Sequence, residues 1–409
     1  MSLREGRKGG FMKKLSLISR IFILLLLGIA LGIGCRSIGA IVPIRIFVTF
    51  SSLFSNFLSF VIPLIIIGFI VPGIATLGKK SGKGLILTTV IAYISTISAG
   101  ILAYITGASI LPSLITKGTL TNSSSIDVTP YFTIDMPVIM GVMSALILSF
   151  ILGIGISTIK ESTLLKVFEE FNSVVLMIVT NVLIPLVPVY IGCIFAKLSF
   201  SGEIFTTMKS FAIVYAILFS LQAIYIFIQY SIAAVIKKES PFKLIKNMLP
   251  AYLTAVGTQS SAATIPVTLQ CVKSNNVSEE IAEFVVPLGA TIHLAGDTIT
   301  LVITSMAVMY MNGKTPTIAM MIPFIFMLGV TMVAAPGVPG GGVMAALGLL
   351  ETMFGFGSIE KPIMIALHAA QDSFGTASNI SGDGAIAIIV DYIINRKKQH
   401  DNGAKLESA

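Results

Sequence analysis

Between residues 368 and 383, His368, Asp372, Thr376, Asn379 and Asp383 follow one another at spacings of four, four, three and four. Residues three and four apart share one face of an α-helix, so the spacing predicts a single polar stripe along an otherwise apolar segment. The stripe offers oxygen ligands suited to a hard cation, hydrogen-bonding groups suited to a small polar solute, and a titratable imidazole. A second run, PLGATIHLAGDTI from Pro287 to Ile299, sets His293 and Asp297 one turn apart beside Gly289 and Gly296. Glycines on both sides predict a local unwinding that frees backbone carbonyls for a cation. Two further runs have bare or hydroxylated backbone: TQSS from Thr258 to Ser261, and PGVPGGG from Pro336 to Gly342.

The elements that position these residues must lie in a bilayer. The 409-residue chain is 55% hydrophobic and only 11% charged, with a mean hydropathy of +0.94. Soluble domains average about 45–50% apolar and about 25% charged residues. This composition excludes a soluble multi-domain enzyme, a disordered protein and a disulfide scaffold. The net charge of +8, from 27 basic and 19 acidic residues, does not indicate nucleic acid, because the basic residues sit at the ends of apolar runs. That is the pattern of cytoplasmic loops. Cys35, Cys193 and Cys271 lack CxxC spacing, so neither a disulfide framework nor a zinc site is indicated.

Eight runs read as spanning helices: 15–34, 44–75, 84–106, 137–159, 165–196, 204–235, 281–311 and 360–394. The first is longer than the apolar region of a signal peptide and reads as a membrane span. Basic clusters recur after every second span, at Arg4 to Lys14, Lys79 to Lys83, Lys160 and Lys166, Lys237 to Lys246, and Arg396 to Lys398. The expectation is a multi-pass protein of the plasma (inner) membrane with both termini in the cytoplasm. Two apolar stretches, 248–272 and 318–350, are interrupted by TQSS and PGVPGGG. Backbone freed from a helix cannot face lipid and must be buried in protein or line a watery cavity. The economical reading is two re-entrant hairpins entering from opposite sides, each flanking one late span. Interrupted segments in corresponding positions of two halves point to a transporter binding site. A charge at mid-bilayer costs about 2.5–3.5 kcal/mol even on the gentler insertion scales, so the polar stripe implies function.

The runs TQSSAATIPV (258–267), PLGATIHLAGDT (287–298), PGVPGGG (336–342) and QDSFGTASNISGD (371–383) together resemble the dicarboxylate/amino acid:cation symporter family. In motif they are most similar to its serine/threonine:sodium symporters. The resemblance implies an all-α polytopic fold with eight transmembrane helices, two re-entrant helical hairpins and inverted repeats. It also implies a homotrimer with a fixed scaffold and an elevator-type transport domain. On that division residues 1–14 are a cytoplasmic segment and 15–240 are mainly scaffold, with spans three and six also candidates for the mobile part. Residues 241–394 are the transport core and 395–409 a cytoplasmic tail.

By the same resemblance, Ser260 and Ser261 match the first-hairpin tip that meets the substrate carboxylate, and Val338 and Gly342 match the second, gating hairpin. Asp372 matches the aspartate that holds the substrate amino group, and Thr376 and Asn379 match further substrate contacts. Gly289, Asn379 and Asp383 match one sodium site. Thr291 falls in a second, and His293 stands where an asparagine carbonyl usually contributes. The departures concern specificity. The arginine that meets an acidic side chain is Gly375 here, a hairpin arginine is Gln259, and Asp297 replaces a substrate-facing threonine. A buried carboxylate needs a partner, so a small neutral amino acid such as serine, threonine or alanine is the leading expectation. An aspartate of a third sodium site is Ala295, whereas Tyr93 and Thr96 are retained beside Ile97.

The sequence therefore reads as a symporter rather than an enzyme. It needs no cofactor and couples a small-molecule substrate to sodium within the lipid bilayer. His293, His368 and Asp297 are candidates for proton coupling, because histidine titrates near neutrality. A dicarboxylate or other organic-acid symporter of the same fold is the alternative. A channel and an intramembrane serine protease using Ser260 or Ser261 with His293 are the competing classes; no GxSxG run supports the latter.

Overall fold

The computed structural model describes residues 17–79, 83–118, 128–202, 204–333, 335 and 340–407. The first basic cluster and Val338, with most of PGVPGGG, lie outside them. The described residues are helical, without strands: α1 (Leu17–Ser37), α2 (Ile41–Lys79), α3 (Lys83–Leu114), α4 (Val142–Thr158) and α5 (Thr163–Ile178). A π-turn, Val179–Leu183, carries α5 into α6 (Ile184–Ser201), followed by α7 (Ile204–Lys237), α8 (Pro241–Thr258) and α9 (Ser261–Ser274). The chain continues as α10 (Glu279–Ile292), α11 (Ala295–Met311), α12 (Ile318–Val333), α13 (Gly341–Phe354) and α14 (Glu360–Glu407).

Among the described residues, seven helical stretches are long and apolar enough to cross a membrane: Ser19–Ser37, Ile41–Thr76, Gly84–Leu114, Thr163–Ser201, Ile204–Lys237, Glu279–Met311 and Glu360–Asn395. The protein is a multi-pass membrane protein. The eighth expected span, 137–159, is helical only over the 17 residues of α4. At 1.5 Å per residue that gives about 25 Å, short of a hydrocarbon core of about 30 Å. Pro130, Pro137 and the extended Gly141 precede α4 and hold the chain out of helix until Val142.

Packing separates the helices into two neighbourhoods. In one, α1 lies along α6, and α2 packs against α4, α5 and α6. In the other, α14 gathers α7, α8, α10 and α11, while α3 packs on α11 and α12. Spans three and six thus pack chiefly with the C-terminal elements. The α1–α6 seam is made by small residues. A Cβ added at Gly28 would collide with the Gly192 carbonyl oxygen, and one at Gly32 with that of Ala196. Glycine at every fourth position is the arrangement that lets two membrane helices approach backbone to backbone. Gly28→Leu is therefore expected to push the helices apart and destabilise the protein by about 1–3 kcal/mol. A lower melting temperature of the purified chain in detergent would show it.

Candidate functional site

Breaks in three helices and the stripe on α14 meet in one region. Between α8 and α9 the break is two residues long. Gln259 takes a left-handed conformation (φ 54°), its N–H donates to the Ala255 carbonyl, and its side-chain amide donates to Ser373 Oγ at 3.0 Å. Such a backbone costs on the order of 1–3 kcal/mol in a non-glycine residue and persists only where its surroundings fix it. Ser260 then caps α9, its hydroxyl accepting from the Ala263 N–H at 3.3 Å. The α10–α11 break falls at His293 and Leu294, within the glycine-flanked run. Beyond the third break, α13 starts with Gly340 at φ 76°.

On α14, successive turns of the stripe meet these breaks. His368 Nε2 lies 3.1 Å from Asp297 Oδ1. The Gly340 N–H donates to Asp372 Oδ2 at 2.9 Å. Asn379 bridges, its amide donating to Asp297 Oδ2 at 2.9 Å while its oxygen accepts from the Gly296 N–H at 2.8 Å. One turn on, Asp383 Oδ1 lies 3.0 Å from His293 Nδ1. All five stripe residues are buried. The candidates for proton coupling, His293, His368 and Asp297, thus lie in two pairs, Asp297–His368 and His293–Asp383.

A cavity of about 880 Å³ opens among these elements. Its walls include Ser261, Thr291, Asp297, Gly342, Asp372, Thr376 and Asn379; Ser260, Gly289, His293, His368, Gly375 and Asp383 lie outside its lining. Gly375 nevertheless borders it, because a Cβ there would sit 3.0 Å from Asp297 Oδ1. Glu169 and Glu283 also line the cavity, so among the described residues its lining has four carboxylates and no lysine or arginine. Three helices begin at its wall: α9 at Ser261, α11 near Asp297 and α13 near Gly342. Their N-terminal N–H groups and positive dipole ends favour negative charge, both that of Asp297 and that of an anionic ligand group.

Sequence reasoning missed the surroundings of His293. Its Nε2 lies 3.0 Å from Ser95 Oγ, which also meets Tyr225 OH at 3.0 Å and Gln229 Nε2 at 3.0 Å. Gln222 and Gln229, seven apart and both buried in apolar α7, were the available signal. Gln222 donates to Gln371 Oε1 at 3.0 Å. The order Ser95–His293–Asp383 has the connectivity of a catalytic triad. Ser95, however, does not line the cavity, and its Oγ is held by three partners, so no acyl group reaches it. The serines expected as nucleophiles do not pair with His293. Asp383 Oδ2, Gln229 Oε1 and Thr96 Oγ1 are buried without a hydrogen-bond partner among the described residues.

The profile of the sodium:dicarboxylate symporter family matches residues 17–393. Human excitatory amino acid transporter 5 is 29% identical over 189 residues, 46% of this chain and 32% of that protein. Human neutral amino acid transporter A is 28% identical over 160 residues, 39% of this chain and 30% of that protein. Rat excitatory amino acid transporter 1 is 28% identical over 159 residues, 39% of this chain and 29% of that protein. The chain thus matches about a third of the length of these curated relatives.

The His293–Asp383 pair depends on bare backbone. A Cβ on Gly382 would collide with the imidazole Cε1 and approach Gln229 Nε2 at 2.8 Å, whereas one on Gly155 would meet open space. Gly382→Ala is expected to lower stability by about 1–3 kcal/mol and Gly155→Ala to leave it unchanged. Thermal melts of the two variants in detergent compare them.

Proposed function

The chain belongs to the sodium:dicarboxylate symporter family, and from that premise we propose that it is a secondary active symporter carrying a small neutral amino acid with sodium. The observation that carries the substrate class is the charge of the cavity, whose lining among the described residues has four carboxylates and no basic side chain. A dicarboxylate or an acidic amino acid would bring an anionic side chain to Asp297 with no cation to meet it, an uncompensated burial that costs several kcal/mol. An α-amino acid with a short uncharged side chain fits better. Its carboxylate faces the N-terminal N–H groups of α9 at Ser260 and Ser261 and of α13 near Gly342. Its ammonium faces Asp372, with Thr376 and Asn379 as neighbouring hydrogen-bonding groups. Gly375 leaves room where Asp297 stands. The names of the relatives cover both excitatory and neutral amino acids, and the charge inventory favours a neutral one.

Sodium is assigned to Gly289, Thr291, His293, Asn379 and Asp383. The buried, unpartnered Asp383 Oδ2 supports a cation there, since hard cations take oxygen ligands. The His293 imidazole against Asp383 supports a proton as a further coupling ion. α8, α9, α12 and α13 have 18, 14, 16 and 14 residues, or about 21–27 Å each. Each is short for a crossing, which supports two re-entrant hairpins. The cavity wall includes Thr76, Leu85 and Glu283, the first two close in sequence to the basic residues at 79–83, and basic loops face the cytoplasm, which supports a cavity opening on that side. A homotrimer with the C-terminal elements moving as an elevator completes the reading.

Proteoliposomes with an imposed sodium gradient test it. Serine, threonine or alanine should accumulate, and Asp372→Asn should cut apparent affinity by about 100-fold or more, because truncating one partner of a buried pair costs about 3–5 kcal/mol. Accumulation of aspartate or succinate, and of no neutral amino acid, would overturn the substrate class. Uptake that responds to sodium alone and is unaffected by His293→Asn would end the proton coupling.

A further inference from the structure

We propose that Asp297, His368 and Asp372 form a binding site for a divalent transition-metal ion of the Zn²⁺ class at the inner end of the cavity. The three residues are buried, and one ligand atom from each lies within 4.8 Å of the other two. Asp297 Oδ1, 3.1 Å from His368 Nε2, holds the tautomer protonated at that nitrogen and leaves the Nδ1 lone pair free. Nδ1 is buried, has no hydrogen-bond partner among the described residues and faces Asp372 Oδ1 across 3.9 Å. This gap is too long for a hydrogen bond. A tetrahedral ion with bonds of roughly 2 Å sets two ligand atoms about 3.3 Å apart, so a closing movement of about half an ångström brings both onto one ion.

Carboxylate, imidazole and ion in that order is the arrangement by which proteins orient a metal-binding histidine. The Gly340 N–H on Asp372 Oδ2 fixes the second ligand in the same way, and water from the cavity completes the coordination. An imidazole in the set favours zinc, cobalt or copper over magnesium and calcium, and the lack of a thiolate disfavours softer ions. Asp297 and Asp372 line the cavity with Glu169 and Glu283 and, among the described residues, without any lysine or arginine, so a dication is drawn inward. Competition between this ion and a substrate ammonium for Asp372 rests on the substrate reading above; the metal site itself does not.

The test uses the full chain, purified in detergent without a polyhistidine tag and with His400→Ala, so that only two buried imidazoles remain. Calorimetric titration with ZnCl₂ should show one saturable site per chain. His368→Gln should weaken it by about 100-fold or more, and Asp297→Asn, which loosens the imidazole, by about 10-fold. Zinc bound equally by His368→Gln, or no saturable binding to a wild-type chain that melts cooperatively, would overturn the site. If His368→Gln does not fold, pulsed electron paramagnetic resonance of Cu²⁺ on the unmutated histidines decides. Modulation from one imidazole nitrogen is expected, and a carboxylate-only signal overturns the assignment. None of these measurements involves transport.

Discussion

Every feature of the C-terminal half answers to one constraint: a carboxylate inside the hydrocarbon thickness must have a partner within reach. Three aspartates, 297, 372 and 383, lie within the spanning stretches, and their neighbours are imidazoles, a side-chain amide and a backbone N–H group. None of those contacts is to lysine or arginine. Neutral donors and helix N-termini can hold a carboxylate in place without cancelling its charge. The cavity lined by Asp297 and Asp372 consequently has an excess of negative charge among its described residues, and it is this excess that a cation or an ammonium group would neutralise. Breaking α10–α11 at His293 and α8–α9 at Gln259 serves the same end, because only an interrupted helix can direct N–H groups into the middle of the membrane.

Much of this was legible in the sequence, for a physical reason. The stripe from His368 to Asp383 lies on one helix, where spacing alone fixes which residues share a face. The interruptions at TQSS and at the His293 run were equally local, written in residue types that end or loosen helices. Contacts between distant elements were not legible. That His293 turns toward Ser95 and Gln229, while His368 turns toward Asp297, depends on how α3, α7 and α14 are set against one another. Spacing says nothing of that. For the same reason the candidates for proton coupling fall into two pairs that spacing does not show, and Glu169 and Glu283, inside the expected spans 165–196 and 281–311, meet at the cavity only through packing. The shortness of α4 was foreseeable from Pro137 and Gly141, but apolarity alone masked it.

Glycine has a different part here from the one its flexibility suggests. The chain has 36 glycines, and those at the site act by lacking a side chain. A Cβ on Gly289 would lie 2.7 Å from Asp383 Oδ1, inside contact distance, so α10 and α14 approach closely enough for Asp383 to reach His293 only because that atom is missing. Membrane helices gain little from burying apolar surface against each other, since lipid is equally apolar. Close backbone approach and the hydrogen bonds it permits therefore take a larger share of their association. The polar pairs and the small residues beside them are one device: the small residues bring the helices together, and the pairs satisfy what would otherwise be bare charge in lipid.

That coupling explains why the cavity's charge departs from what the family's name leads one to expect. A dicarboxylate site needs a fixed cation, and the natural place for one is the α14 turn occupied by Gly375. A Cβ there would sit 3.0 Å from Asp297 Oδ1 and 3.2 Å from the Gln371 amide, so any side chain at 375 requires Asp297 or Gln371 to give by a few tenths of an ångström. The identities at 297 and 375 are in this sense linked. Glycine at 375 and aspartate at 297 give this corner of the site a carboxylate and no basic side chain among the described residues. A change at either position alone would leave a cavity or a collision at the other, which ties the selectivity of the site to its packing.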